Sequence, residues 1–220
     1  MVYFEKSQPA PTCLAIEKAK ANGSYNCEDV RVRLQFDFKN KCYICEQSHI
    51  TNIQTEHFEA HQGNIDKKFD WNNLFFACGH CNNTKLAKYD NILNCTVKTD
   101  NVEENLYYRP IQLPRSRVEI IALEDDIKTQ NTRDLLLDIY NGTTPAKIQE
   151  SENIKLHLSQ EIALFYKALL KFEKYKTDLK VQKKYLSKIK NILAELLNLQ
   201  PSNGALLEKM TVTKQNLAIS

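Results

Sequence analysis

No apolar run in this chain approaches the roughly 20 residues that a helix needs to cross a bilayer, so no membrane span is expected. The first residues, MVYFEKSQPA, lack the apolar core of a secretory signal, and the expectation is a cytoplasmic protein. Internal repeats and low-complexity tracts are also absent, which sets aside repeat and linker-like architectures. A large excess of one charge is missing as well. Thirty Lys and Arg stand against 27 Asp and Glu, a net charge of +3. That balance permits nucleic-acid binding without arguing for it, because tight non-specific binding needs many phosphate contacts. It also suggests a recruiting partner. What remains is 220 residues, one large domain or two small ones. A chain of this size buries about 70% of its unfolded surface and needs no covalent help to fold.

The seven cysteines carry the strongest signal. In a reducing compartment, paired Cys-x-x-Cys units serve metal binding more often than disulfides. Cys42 with Cys45, and Cys78 with Cys81, form two such units. Zinc takes four tetrahedral ligands and structural sites often use four thiolates, so these four cysteines are assigned to a structural Zn2+. Such a site contributes on the order of 10 kcal/mol to folding. A Cys2His2 finger built from Cys42, Cys45, His57 and His61 is set aside, since it strands Cys78 and Cys81 and no helical apolar pattern precedes His57. A redox role is set aside because neither pair sits in a βαβ pattern. Cys13, Cys27 and Cys95 have no such spacing and are read as free thiols acting as small apolar residues.

Along the chain, TCLAIEKAKAN from Thr12 reads as a helix ended by Gly23. In EDVRVRLQFDFKNK, alternation of Val30, Val32, Leu34, Phe36 and Phe38 suggests a strand, whereas Val30, Leu34 and Phe38 share one helical face. With Asn26 as a cap and Glu28 and Asp29 in a first turn, the helix is preferred. HITNIQTEHF reads as a strand, AHQGNIDKKFD as a loop, WNNLFFAC as a second strand, and NNTKLAKYD begins a helix with Asn82 in or near its first turn. RVEIIAL is a buried strand and TRDLLLDIYNG a helix closed by Asn141 and Gly142. From Ser159 to Leu199 apolar residues recur at spacings of three and four, from Ile162 through Phe172 to Leu196, opposite a lysine-rich face. This is one coiled coil or two helices broken near Thr177 and Asp178, ended by Pro201 and Gly204. Its face is available for its own domain, a partner or nucleic acid.

With the cysteines committed to zinc, His57 at a strand end before a polar loop suits a general base, since imidazole is largely neutral near pH 7. Hard cations take carboxylate and amide oxygens, so Glu56 and Asn82 are candidate ligands for Mg2+ or Mn2+. The order Cys-x-x-Cys, Glu-His, Asn-Leu, Cys-x-x-Cys-Asn-x-x-Lys resembles the HNH endonucleases in their zinc-bound form. Asn73, five residues before Cys78, matches the middle Asn of that family, and Asn82 the third motif position, where His is common. The wording EHF…WNNLFFAC…CNNTK is similar, more narrowly, to the HNH subunit of Septu-type anti-phage systems, also found beside retrons. The resemblance covers roughly Phe36 to Tyr89.

The resemblance implies a zinc-bound ββα-metal core, and with the periodic segments this gives an α+β protein with flanking helices and a long C-terminal amphipathic helical region. The chain is accordingly divided into a nuclease domain with N-terminal helices over residues 1–95 and a mixed, then mainly helical, region over 96–220, whose apolar stripe is the expected partner-docking face. His57 would activate water, Glu56 and Asn82 would hold the catalytic Mg2+ or Mn2+, Asn73 would fix the loop and orient His57, and Lys85 would neutralise a phosphate. The implied activity is phosphodiester hydrolysis of nucleic acid, DNA before RNA, by the effector of a defence complex with an ATPase subunit. An RNA-cleaving effector and a non-enzymatic zinc module that binds nucleic acid or a partner stay open.

Overall fold

A computed structural model describes residues 1–48, 50–109, 117–175 and 177–196, the last four of them by backbone alone. The described chain divides into two compact units, Met1–His157 and a second from Leu158, with the division inside one helix. No helix among the described residues is long and apolar enough to cross a membrane.

The first unit begins with helices α1 (Thr12–Lys18) and α2 (Glu28–Asp37). The ambiguity in α2 resolves as helix because burial falls at intervals of four. Val30, Leu34 and Phe38 are fully buried, while Val32 is 57% and Phe36 72% exposed, so the alternating pattern has no buried face to serve. Cys27, not Asn26, occupies the N-cap position. Asn26 instead accepts a hydrogen bond from the Thr55 hydroxyl (2.7 Å). A disulfide joins Cys13 to Cys27, correcting their reading as free thiols. Cys95 is a buried free thiol.

Two antiparallel strands and a helix follow. Strand β1 (Ile53–His57) pairs with β2 (Leu74–Cys78), placing Glu56 opposite Phe75 and His57 opposite Leu74. His49, where the first strand was expected to begin, lies outside the described residues. The loop between the strands contains a short helix, α3 (Ile65–Lys68), capped by the Asn64 side chain. Trp71–Asn73 forms a tight 3-10 turn, so the second strand starts three residues later than expected. Helix α4 (Gly79–Lys85) leaves β2 directly, with Cys78 at its N-cap and Asn82 in its middle.

Every residue of β2 is buried. Phe75 stacks on Phe58 (centroids 5.0 Å apart) and packs against Tyr43 (4.9 Å) and Phe38 (5.4 Å). These rings form the floor below the end of β1. Lys6 lies over the Trp71 ring and donates to the carbonyls of Trp71 and Leu74, holding the start of β2. Burial lowers its ammonium pKa to about 7.

Strands β3 (Leu106–Tyr108) and β4 (Ile120–Ala122) form a second antiparallel pair, and helix α5 (Ile127–Asn141) packs on β4 and α4. The sequence suggested a boundary near residue 95. Instead the first unit continues to His157, because α5 buries Leu135, Leu136, Ile139 and Tyr140 in the same core. Gly142 turns the chain into helix α6 (Pro145–Lys174) at φ +69°, where a side-chain carbon would meet the Ile148 backbone at 2.5 Å.

The second unit contains the rest of α6 and helix α7 (Leu179–Leu196). Two helices broken at Tyr175–Asp178 are therefore present rather than one. The rings of Tyr175 and Tyr185 stack 6.2 Å apart across the break. The expected stop at Pro201 and Gly204 falls outside the described residues.

Truncating Phe75 to Ala should cost about 3–5 kcal/mol, as for a fully buried aromatic. Phe36→Ala, at an exposed position, should change stability by less than about 0.5 kcal/mol. Urea denaturation of the two variants checks the assignment of α2 and of the aromatic floor.

Candidate metal centre and the adjoining polar depression

The four sulfurs of Cys42, Cys45, Cys78 and Cys81 lie within 4.8 Å of one another, and all four residues are buried. A tetrahedral zinc with Zn–S bonds of about 2.3 Å needs sulfurs roughly 3.8 Å apart. Cys45 and Cys78 are 3.9 Å apart, so the set fits a zinc ion. Local backbone builds each half. In the first, Cys42 and Glu46 close a turn through Glu46 N–H to the Cys42 carbonyl (2.9 Å), with Glu46 at φ +59°. In the second, Cys78 ends β2 and its sulfur accepts from Cys81 N–H (3.4 Å) in the first turn of α4. Tyr43 N–H donates to the Phe76 carbonyl (3.0 Å), tying the first half to β2.

His80, between the last two cysteines, was not singled out by the sequence. It is buried and bridges α4 to its neighbours, through Nε2 to the Ile139 carbonyl (2.9 Å) and through Nδ1 to the Glu150 carboxylate. Tyr140 adds a hydroxyl hydrogen bond to the Cys45 carbonyl (3.2 Å).

Beside the cluster, Glu56, His57, Ala60, His61, Gln62, Asn82, Leu86 and Ala87 line one open depression of about 370 Å³. Glu56 and His57 alternate along β1, yet the strand ends there and both reach this space. His57 Nε2 lies 3.0 Å from the Lys68 carbonyl. A carbonyl only accepts, so Nε2 carries the proton and Nδ1 is the ring's free acceptor. The ring packs edge-on against Tyr25 (4.5 Å) and His61 (4.7 Å). Burial holds its pKa below the ordinary imidazole value, so it is neutral at pH 7.

Asn73 is 93% buried and clamps the loop above the strands. Its amide nitrogen donates to the Glu59 (3.0 Å) and Lys67 (3.1 Å) carbonyls, and its oxygen accepts from Glu59 N–H (2.8 Å). Lys67 precedes the residue whose carbonyl holds His57, so Asn73 fixes that holder. Asn82 is half-buried, and its side-chain amide has no protein partner among the described residues.

Lys85, expected to reach phosphate, points inward and is 1% exposed. Its ammonium lies 3.3 Å from Glu56 Oε1 and 3.6 Å from Asp90 Oδ1, and donates to the His57 carbonyl (3.4 Å). It is a counter-charge for the carboxylates. Asp90, unnoticed in the sequence, accepts from Ala60 N–H as well. Burial raises the Glu56 pKa to about 7, against the opposing pull of Lys85. Glu56 Oε2 and the Tyr43 hydroxyl interact electrostatically, but both are buried without a well-formed hydrogen bond.

No protein-family model, curated protein or solved structure matches the chain. What the structure establishes is a mixed α+β protein with a four-cysteine cluster able to hold zinc.

Two outcomes check this geometry. The purified chain should carry one zinc per molecule by elemental analysis, and Cys81→Ser or strong chelation should abolish the cooperative thermal transition. Lys85→Met should cost about 3–5 kcal/mol, because it leaves a buried carboxylate uncompensated. A Glu56→Gln, Lys85→Met double variant should recover much of that loss in denaturant melts.

Proposed function

We propose that this chain is a metal-dependent endonuclease of the HNH type, hydrolysing phosphodiester bonds of nucleic acid, with DNA as the preferred substrate. The observation that carries this is the convergence of Glu56, His57 and Asn82 on one depression, with an imidazole whose free nitrogen is a proton acceptor. A Septu-like defence effector working with an ATPase subunit is the narrower reading, supported by the wording of residues 36–89.

In this mechanism the nucleophile is water. His57 Nδ1 takes one proton from it as its oxygen bonds to phosphorus. The bond from phosphorus to the leaving oxygen breaks, and that oxygen takes a proton from solvent. The Lys68 carbonyl keeps the ring in the accepting tautomer, and Asn73 holds the segment that carries Lys68. Glu56 and Asn82, which both line the depression, would supply oxygen ligands to a hard cation, Mg2+ or Mn2+. Such an ion supplies Lewis-acid stabilisation of the charge on the phosphate and leaving oxygen. Lys85 and Asp90 keep Glu56 in position. Zinc is structural.

The test uses the chain alone and, where a neighbouring gene encodes an ATPase, the chain co-expressed with it, incubated with plasmid DNA and with RNA in Mg2+, Mn2+ or EDTA. Cleavage should require the divalent ion, and His57→Ala should lower it at least about 100-fold with zinc content unchanged. The rate should rise with pH on the acid side, as the ring loses its proton and Glu56, raised to about 7, ionises, and become level above that range. No nicking of either nucleic acid under any condition overturns the nuclease reading in favour of a binding module. Exclusive RNA cleavage revises the substrate.

A further inference from the structure

His61 belongs to no motif identified in the sequence, yet it lines the same depression as His57, ring to ring at 4.7 Å. Its placement is set by a turn. Asn64 N–H donates to the His61 carbonyl (2.7 Å), closing a turn in which Gln62 has φ +46° and Gly63 φ +83°. Positive φ at both central residues is the signature of a type I′ turn. The turn also sets the orientation of the ring, because Gly63 N–H donates to His61 Nδ1 (3.1 Å).

That hydrogen bond decides the tautomer. A backbone N–H only donates, so Nδ1 is unprotonated and the proton of the neutral ring is on Nε2. Nε2–H has no protein partner among the described residues, while the ring is half-buried at the rim of the depression. The two imidazoles therefore have opposite polarity. His57 presents an acceptor, its own N–H being spent on the Lys68 carbonyl, and His61 presents a donor. Resting on the nuclease reading, we infer that His61 Nε2–H donates a hydrogen bond to a non-bridging oxygen of the scissile phosphodiester and strengthens it as charge grows there in the transition state. No proton is transferred. Donation from a neutral ring is a hydrogen bond only, and the protonated ring would lose its bond from Gly63.

A purely structural His61 would matter through Nδ1 and the turn, whereas a phosphate contact works through Nε2. Asn places its amide near the position of Nδ1, and Gln reaches that of Nε2, so the two substitutions separate the roles. Wild type, His57→Ala, His61→Ala, His61→Gln and His61→Asn are compared in steady-state cleavage of a labelled DNA duplex, in the partner-bound form if that form is the active one. Far-UV circular dichroism and zinc content report on folding, and binding of the same duplex in EDTA is measured by anisotropy. His61→Ala should lower kcat about 100-fold, the scale of losing one preorganised donor. KM and binding in EDTA should change less than threefold. His61→Gln should regain at least tenfold over His61→Ala, and His61→Asn should not. The inference is overturned by parental kcat in His61→Ala, by recovery in Asn rather than Gln, or by equal recovery in both. If wild type cuts nothing, the nuclease reading fails and takes this inference with it. If wild type cuts and only the His61 variants behave otherwise than stated, this inference alone fails.

Discussion

Four sulfur atoms gathered within 4.8 Å constrain the rest of the first unit. Two of them sit in a turn before β1 and two at the junction of β2 and α4, so one cluster sets where the strands end and where the helix begins. Because α4 starts at the last residue of β2, Asn82 has little freedom along the helix and faces the end of β1. The aromatic floor around Phe75 then supports Glu56 from below, and His80 and Tyr140 fasten the cluster to α5. The gathering of the four sulfurs and the shape of the polar depression are consequences of one local geometry.

Much of this was legible in the residues. The spacing of Cys42, Cys45, Cys78 and Cys81 points to one ion whatever the intervening chain does, because the ligand count and the tight turns leave few other uses. The order strand, loop, strand, helix was readable from Ile, Thr and Phe runs punctuated by Gly63 and Asn64. The helical nature of α2 followed from Val30, Leu34 and Phe38 despite a competing alternation. Boundaries were less legible. Trp71–Asn73 form a 3-10 turn because the Asp70 carboxylate accepts from Asn72 N–H, a local competition that residue propensity does not display.

What stayed hidden depends on direction and on distant partners. The bond between Cys13 and Cys27 could not be read because sequence spacing does not specify pairing outside a recognised motif. Lys85 looks like any solvated helix lysine until α4 is docked on β1, when the same residue proves enclosed. Tyr25 and Asp90 are remote in sequence and reach the site only through the fold. The spacing of His61 from Cys42 and Cys45 is close to that of a finger ligand, yet the ring's placement rests on a turn hydrogen bond that no spacing rule reveals.

The pairing of Lys85 with Glu56 has a consequence for ion occupancy. A protein carboxylate awaiting a cation is normally an electrostatic burden, and folding without the ion is penalised. Here a covalently tethered ammonium is already at hand, 3.3 Å from one oxygen, with Asp90 on its other side. The depression therefore has a resident cation that cannot diffuse away. Under the proposed nuclease reading, an ion arriving there would meet an anion already partly neutralised and would be held the more weakly for it. The sulfurs gather where an ion could be held, whereas the Glu56 carboxylate has its counter-charge built into the chain.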